Sequence, residues 1–239
     1  MESLNGKLAI VTGGTRGIGR AITESLLREG ASVAITGRTQ QSVNAALSQI
    51  KPLGNVIGQA VELTKYDEVR RFFDFVDGEF KALDILVNNA GAATFRKVGE
   101  MSPEDWHHNI DLDLNGPFYC SREALARFKT RGAGFIVNIS SLAGKNAFAG
   151  GAGYNAAKAG LNLFTEAMML DHRKDNVRVC SIMPGSVDTD FSGHPGKRSG
   201  DTSWMISPQD VADATIFTLR MPARTMVSRI EIRPSRPQT

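Results

Sequence analysis

The sequence predicts an α/β fold, a doubly wound parallel sheet of about seven strands with helices on both faces. Six short apolar runs, from KLAIV at 7–11 to VRVCSIM at 177–183, alternate with longer segments of helical periodicity. The runs are nearly all apolar rather than alternating, as in strands that are buried on both sides. A seventh strand is expected around 226–232. With 41% apolar residues, the chain of 239 residues can bury one large core, so 1–239 is expected to form a single domain.

Charge and cysteine content argue against several classes of protein. The formal net charge is only +3, and no dense run of Lys and Arg suggests a nucleic-acid surface. Cys120 and Cys180 lie in separate apolar stretches without metal-ligand spacing, so both are expected in the core and no metal site is expected. No apolar run approaches the roughly 20 residues of a membrane span, and no signal peptide is apparent. We expect a cytoplasmic protein without membrane or nucleic-acid partners.

The first predicted strand runs into a glycine-rich turn, TGGTRGIG at 12–19, which an amphipathic helix follows. Glycines let the backbone approach a pyrophosphate, and the helix N-terminus offers free N–H groups to its charge. The GxxxGxG spacing differs from the GxGxxG of the commonest dinucleotide fold. A tight turn without a ligand is the alternative, but three glycines exceed what one turn needs. The residues expected to bind a nucleotide here are Gly13, Thr15, Arg16, Gly17, Ile18 and Gly19.

Four further motifs follow in order: Asn88-Asn89-Ala90-Gly91, Ser141, the pair Tyr154 and Lys158, and Pro184-Gly185. Together with the glycine turn, they make the chain resemble the classical short-chain dehydrogenase/reductase (SDR) family over residues 7–191. The resemblance implies a Rossmann-type fold, a nicotinamide cofactor and hydride transfer between a carbonyl and a secondary alcohol. It also implies a small-molecule substrate and a homodimer or homotetramer.

The end of strand 2 reads Thr36-Gly37-Arg38-Thr39, which bears on the choice of cofactor. An NAD enzyme needs an acidic side chain here to accept from the ribose 2′-hydroxyl. Gly37 occupies that position, and the guanidinium groups of Arg38 and Arg16 could converge on a 2′-phosphate. Either arginine could instead be an ordinary surface residue. We expect NADP(H) in preference to NAD(H), with Thr39 also in the site.

The resemblance implies further cofactor contacts after strands 3, 4 and 6. Residues after strand 3 would lie beside the adenine, and those after strand 4 would pack against its ribose. The segment after strand 6 would flank the nicotinamide, with a backbone group for the carboxamide and a threonine hydroxyl. These contacts are assigned to Glu62, Leu63, Asn89, Ala90, Gly91, Pro184, Gly185, Val187 and Thr189. Asn88 is expected to be structural.

Tyr154 and Lys158 are four residues apart, so their side chains share one face of a helix. A phenol has an ordinary pKa of about 10, and a nearby ammonium group lowers it. The resemblance implies that Tyr154 is the general acid or base and that Lys158 also holds the ribose hydroxyls. Family spacing, thirteen residues before the tyrosine, assigns the catalytic serine to Ser141 rather than Ser140.

One position departs from the family pattern. The family usually has an asparagine in a motif like NLxGxF, where it supports a water that relays protons, and here Asp113 begins the stretch DLNGPF. A carboxylate cannot donate as an amide does, and its charge near Lys158 could alter the pKa of Tyr154. We expect Asp113 to be tolerated, because a backbone carbonyl can supply much of the asparagine's role.

Substrate recognition depends on residues 94–98, 147–151 and about 190–207. The last of these is rich in glycine and serine and is a candidate lid. The expected substrate contacts are Ser141, Phe148 and Tyr154. The family resemblance implies that subunits pair through the helices at 113–127 and 154–170. The apolar residues expected either there or in the chain's own core are Leu161, Leu163, Phe164, Met168 and Met169.

Two classes of function remain. One is an NADP(H)-dependent carbonyl reductase or alcohol dehydrogenase. The alternative is an NADP(H)-binding regulatory or scaffold protein with little turnover. The presence of Ser141, Tyr154 and Lys158 favours the enzyme, since a sensor needs no acid beside the nicotinamide. Asp113 is the one feature that favours the alternative.

Overall fold

The structure is a computed structural model that describes residues 1–191 and 201–237. Its centre is a seven-stranded sheet in the order β3-β2-β1-β4-β5-β6-β7, in which every pair of neighbours is parallel. The strands are β1 (Leu8–Val11), β2 (Ser32–Gly37), β3 (Val56–Ala60), β4 (Ile85–Asn88), β5 (Gly134–Ile139), β6 (Val177–Pro184) and β7 (Arg229–Ile232). The predicted α/β sheet and its number of strands are confirmed.

Helices cover both faces of the sheet, as predicted. In the described ranges they are α1 (Gly17–Arg28), α2 (Gln40–Ile50), α3 (Tyr66–Glu79), α4 (Pro103–Ile110), α5 (Gly116–Arg131), α6 (Ala152–His172) and α7 (Pro208–Leu219). Buried residues of α1, α2 and α7 form an apolar cluster on one face. Those of α3, α5 and α6 form a second cluster on the other face. Helix α4 packs against α6.

Burial of the strands explains their sequence pattern. All residues of β1 and β4 are buried, because neighbouring strands and two helical layers enclose them. Strand β7 lies at the edge and alternates instead, with Arg229 and Glu231 exposed and Ile230 and Ile232 half-buried. Both cysteines are buried and unpaired, as expected, and burial raises the pKa of each thiol to about 12.

The chain runs outward from β1 to β3 and then returns to β4 on the opposite side of β1. The carboxyl ends of β1 and β4 therefore meet where the strand order reverses. In open parallel sheets, ligands bind in the crevice at this point. The glycine turn follows β1 and the Asn88–Gly91 motif follows β4, so the fold brings both predicted motifs to this crevice.

A π-helical turn at Asp111–Asn115 joins α4 to α5. Pro117 lies in the first turn of α5 and has no backbone N–H, so Asp113 cannot have the usual α-helical bond to it. Single π-helical turns occur often at functional sites. This one places the side chain of Asp113 in the interior, fully buried. The family pattern placed Asp113 where the family usually has an asparagine, but it did not predict the π-helical turn.

None of the described helices is long and apolar enough to span a membrane. Within residues 1–191 and 201–237, no group of three or more His, Cys, Asp or Glu side chains is arranged to hold a metal ion. Residues 192–200 of the candidate lid at 190–207 lie outside the described residues. Its last part forms a short parallel bridge, in which Ile206 pairs with Val187.

Candidate active site

The glycine turn is tied directly to the end of β4. The Thr12 hydroxyl accepts hydrogen bonds from the backbone N–H groups of Asn89 and Ala90, both at 3.0 Å. The Asn89 side chain donates to the Thr12 carbonyl at 3.0 Å. Gly13 has φ +66°, and a Cβ there would lie 3.0 Å from Ala90 Cα. Sequence reasoning missed Thr12, although a hydroxyl at the last buried position before the glycines was the available signal.

The structure places both predicted phosphate-binding arginines at the surface beside this turn. Arg16 immediately precedes α1 and donates from Nη1 to the Asp190 carbonyl at 3.2 Å. Arg38 follows β2 and has no hydrogen bond or ion pair with any described residue. A Cβ on Gly37 would lie 2.7 Å from Thr15 Cγ2, so packing leaves no space for an acidic side chain.

Two other predicted cofactor residues have local structural roles. Thr39 caps α2, with its hydroxyl accepting from Ser42 N at 3.2 Å. The Glu62 carboxylate accepts from the Thr64 hydroxyl at 2.9 Å, so it turns back on its own loop. Leu63 is buried in the core next to β3. Asn88 is structural in the described network, because its amide donates to the Asn138 side chain at 2.8 Å.

The segment after β6 lies against the glycine turn. Ser186 O accepts from Ile206 N at 3.0 Å, and Asp188 N donates to Ile206 O at 2.9 Å. The bonds of this parallel bridge are made by Ser186 and Asp188, on either side of Val187. The backbone N–H and C=O of Val187 itself have no hydrogen-bond partner among the described residues. Thr189 Cγ2 is 3.3 Å from where a Cβ would stand on Gly17. The segment can therefore offer backbone groups and a hydroxyl to a ligand in the crevice.

Tyr154 and Lys158 lie on the buried face of α6, with Asp113 opposite them. Lys158 Nζ is 3.0 Å from Asp113 Oδ1 and donates to the Ile139 carbonyl at 3.2 Å. The same ammonium lies 5.7 Å from the centre of the Tyr154 ring. Glycine is required at position 91, because a Cβ there would collide with Asp113 Oδ1. The structure thus brings the predicted tyrosine, lysine and aspartate together.

Burial sets the proton affinities of these groups. It raises the pKa of Tyr154, Asp113 raises it further, and Lys158 and a hydrogen bond with Ser141 lower it, with a net upward shift. Burial lowers the pKa of Lys158, but Asp113 and Tyr154 outweigh it and the net shift is upward. The pKa of Asp113 is raised, chiefly by burial and against the charge of Lys158. The expected lowering by Lys158 is therefore present, but burial exceeds it.

The two serines after β5 have different environments. Ser141 lies near the Tyr154 hydroxyl and lowers the pKa of the phenol, and the Ser141 hydroxyl accepts from Ala143 N at 3.1 Å. Ser140 is buried, and its hydroxyl donates to the Lys158 carbonyl at 3.3 Å, which is a structural role. The geometry agrees with the choice of Ser141. Asn155 also contributes, because its amide donates to the Ala143 carbonyl at 2.6 Å and holds the serine turn against α6.

Aromatic rings surround Tyr154 on its outer side. The Phe95 and Phe191 rings are 6.0 and 5.7 Å from the Tyr154 ring, centre to centre. Phe148, the predicted substrate contact, lies 5.5 Å from Phe95 and does not pair directly with Tyr154. Sequence reasoning missed Phe95 and Phe191, although both fall in segments expected to determine the substrate.

A glycine turn lies at the switch point of the parallel sheet, with a half-buried serine and a buried tyrosine and lysine beside it, and this combination defines a class of nucleotide-binding α/β oxidoreductases. A family model described as short chain dehydrogenase matches residues 7–198, and the chain belongs to that family. The resemblance noted from the motifs is confirmed.

Known proteins match along nearly the whole chain. An uncharacterized oxidoreductase of Staphylococcus saprophyticus is 32% identical over 240 residues, covering 98% of this chain and all of that protein. The alcohol dehydrogenase of the archaeon Thermococcus sibiricus, solved with 5-hydroxy-NADP, has a TM-score of 0.85 and 26% identity, covering 98% of this chain and 99% of that one. A metagenomic short-chain oxidoreductase solved with NADP has a TM-score of 0.86 and 32% identity, covering 99% and 100%.

Proposed function

We propose that the protein is an NADP(H)-dependent oxidoreductase that interconverts a carbonyl and a secondary alcohol, with Tyr154 as general acid and base. The observation that carries the proposal is the buried arrangement of Tyr154 between the hydroxyl of Ser141 and the ammonium of Lys158. Of the two similar structures described above, one is an alcohol dehydrogenase and both contain NADP or its 5-hydroxy form, which supports the same function.

The crevice fits a dinucleotide by its own chemistry. The N-terminus of α1 and the glycine turn suit a pyrophosphate, and the free backbone groups of Val187 suit a carboxamide. Arg38, which lacks a partner among the described residues, and Arg16 suit a 2′-phosphate. A bound nicotinamide would supply or accept the hydride. The preference for NADP(H) rests on these two arginines and on the crowded position of Gly37.

The protein's own residues would bind and protonate the substrate oxygen. In reduction, the Ser141 hydroxyl donates to the carbonyl oxygen and holds it beside Tyr154, which then releases its proton to that oxygen. The raised pKa of Tyr154 keeps the phenol protonated at neutral pH, the form that an acid requires. The ammonium of Lys158 stabilises the phenolate that forms. In oxidation, the same phenolate accepts the alcohol proton.

The test is NADPH consumption against a panel of ketones, oxoesters, diketones and quinones. We expect wild type to reduce at least one class and Tyr154→Phe to lose about two to four orders of magnitude in turnover, the usual contribution of general acid catalysis. Tyr119→Phe, which removes a phenol hydroxyl on α5, is the matched control and should retain activity. Tight NADPH binding without consumption of any carbonyl would instead favour the regulatory or scaffold alternative.

A further inference from the structure

Three phenylalanines next to Tyr154, Phe95, Phe148 and Phe191, form an aromatic collar. Phe95 meets both Tyr154 and Phe148 edge-on, with ring centres 6.0 and 5.5 Å apart. Phe191 completes the collar at 5.7 Å from Tyr154. Such edge-to-face spacing is the favoured geometry between aromatic rings, so a further ring can join the cluster in the same way.

Phe95 is held in place by its neighbours on both sides. The Asn109 side chain is buried, accepts from Thr94 N at 3.1 Å and donates to Thr94 O at 3.4 Å. On the other side, Arg96 N donates to the Gly150 carbonyl at 2.8 Å. These bonds fix the backbone on both sides of Phe95, and its ring packs edge-on against the rings of Tyr154 and Phe148.

Phe148 is held by the turn that precedes α6. Its carbonyl accepts from Gly151 N at 3.1 Å, and a Cβ on Gly151 would lie 2.6 Å from the Phe148 ring. The Phe148 ring therefore lies against the backbone of Gly151, and a Cβ at that position would push the ring out of its place. Two of the three collar rings are thus positioned by specific contacts rather than left free on the surface.

The collar exposes apolar surface beside a polar reacting group. Phe95 and Phe148 are 39% and 46% exposed. Contiguous exposed apolar surface in a soluble protein marks a binding site more often than chance. A substrate whose apolar part covers these rings would bury that surface while its carbonyl reaches Tyr154.

Two charged side chains in the segments that flank the collar contact residues outside it. Lys145 pairs with Glu231, and the Asp188 carboxylate accepts from the Thr202 hydroxyl at 3.1 Å. The Arg96 guanidinium donates to the Phe95 carbonyl at 3.2 Å. The three rings carry no charge, so the collar favours an apolar group over a carboxylate on the part of the substrate that covers it.

We propose that the substrate is an uncharged ketone or aldehyde that carries an aryl group, and that the aromatic collar binds this group. The proposal rests on the proposed function and defines its substrate class. The carbonyl carbon accepts hydride from NADPH and the oxygen accepts the proton of Tyr154. The π bond of C=O breaks, a C–H and an O–H bond form, and NADPH is oxidised to NADP+.

Three methyl ketones that differ only at one end test the collar: benzylacetone, butanone and levulinate, which carry phenyl, hydrogen and carboxylate at the same carbon. Each is titrated calorimetrically into the protein with NADP+, a pair that cannot react, and into the protein alone. We expect benzylacetone to bind at least about tenfold tighter than the other two. Equal affinities, or tighter binding of levulinate, would overturn the proposal.

Substitutions in the collar test whether its rings cause the preference for benzylacetone. Phe95→Leu and Phe148→Leu should each reduce the preference for benzylacetone over butanone about threefold or more, while butanone affinity stays the same. Phe217→Leu, on α7, replaces a phenylalanine that is 45% exposed and should change neither. A collar variant that leaves the preference intact would refute the assignment.

Turnover measured in parallel separates this proposal from the proposed function. If NADPH is consumed as fast with butanone or levulinate as with benzylacetone, the result would support the proposed reductase but contradict the proposal of an aryl substrate. Tight aryl-selective binding without consumption of NADPH would support the collar and contradict the reductase.

Discussion

Asp113 places a second charge beside Lys158 in a part of the site that solvent hardly reaches. The pair is 3.0 Å apart, and the aspartate is fully buried. Removing one member of a buried ion pair leaves an uncompensated charge, so Lys158 and Asp113 each stabilise the ionised form of the other, although burial still raises the pKa of Asp113 overall. Asparagine, the residue of the family pattern, would provide a dipole but no charge. The charge of Asp113 therefore raises the pKa of both Lys158 and Tyr154.

Replacement of Asp113 by asparagine should shift the pH dependence of alcohol oxidation. The carboxylate raises the pKa of Tyr154, so its removal lowers that pKa. Oxidation requires the phenolate and rises with pH through this pKa. The rising limb of the pH–rate profile of Asp113→Asn should therefore lie at lower pH than in wild type. Rates are measured at saturating NADP+ across the pH range.

Maximal turnover of Asp113→Asn should stay within about tenfold of wild type, because the acid itself is unchanged. An Asp188→Asn control, which removes a carboxylate outside the Tyr154–Lys158 group, should leave the limb in place. If the rising limb of the pH–rate profile of Asp113→Asn stays in place or moves to higher pH, Asp113 does not raise the pKa of Tyr154 as proposed. Turnover raised by orders of magnitude would show that Asp113 is not tolerated but inhibitory.

Arg38 should decide between the two nicotinamide cofactors. The proposed contact of its guanidinium with a 2′-phosphate exists only in NADP(H), so we expect NADPH to bind at least about tenfold tighter than NADH. Arg38→Ala should remove most of that difference without weakening NADH. Arg71→Ala, which deletes an exposed arginine on α3, provides the control. Equal affinities of the wild type for both cofactors, measured by fluorescence titration, would refute the assignment of Arg16 and Arg38.

At the scale of single elements, two glycines allow the effect of helix propensity on stability to be distinguished from the effect of turn geometry. Gly78 lies within α3 and Gly132 ends α5 in the left-handed region at φ +78°. A Cβ at either position would meet nothing within 4 Å, so crowding affects neither substitution. Any difference between them therefore comes from the backbone alone.

Gly78→Ala should raise the free energy of unfolding by about 0.5–1 kcal/mol, because alanine loses less entropy in a helix. Gly132→Ala should lower it by about 1 kcal/mol or more, because alanine disfavours a positive φ. Urea denaturation of both variants against wild type measures the two effects. Shifts of the same sign would contradict the backbone explanation.

Sequence pattern predicted the elements of this protein better than their junctions. The apolar runs located the strands because parallel strands are buried on both faces, and the motif order located the residues of the crevice. The π-helical turn at Asp111–Asn115 was not predicted: the missing N–H of Pro117 permits it, but its packing against α4, α5 and α6 is known only from the assembled fold. Phe95 and Phe191 were missed for a related reason: their loops have no periodicity, and only the assembled fold brings both rings to Tyr154.

At the scale of the whole molecule, the structure divides the apolar residues of α6 between core and surface. Leu161 and Met168 are buried in the chain's own core, and Phe164 and Met169 pack partly against it. Leu163 is 69% exposed, and Phe118 on α5 is also exposed nearby in the fold, with its ring 6.1 Å from Phe164. An apolar surface across α5 and α6 therefore supports the proposal of a homodimer or homotetramer.

Leu163→Glu should shift the protein towards the monomer, because a charge at a subunit contact stays unpaired on burial. Light scattering of wild type should give twice or four times the mass of the 25.8 kDa chain. Leu53→Glu, which alters an exposed leucine outside these helices, should leave the mass unchanged. A wild type that is only monomeric would remove the proposal.

The pairing of β1 with β4 has a consequence for how the chain folds. It joins Ala9 to Ile85, so a long loop must close before the two strand ends meet. The proposed nucleotide crevice is made of those ends and does not exist until they meet. A nucleotide bound there would act as a reversible cross-link between β1 and β4, the strand pair whose long loop makes it the slowest to form. Its binding would hold the sheet closed and raise the melting temperature in proportion to the logarithm of its concentration.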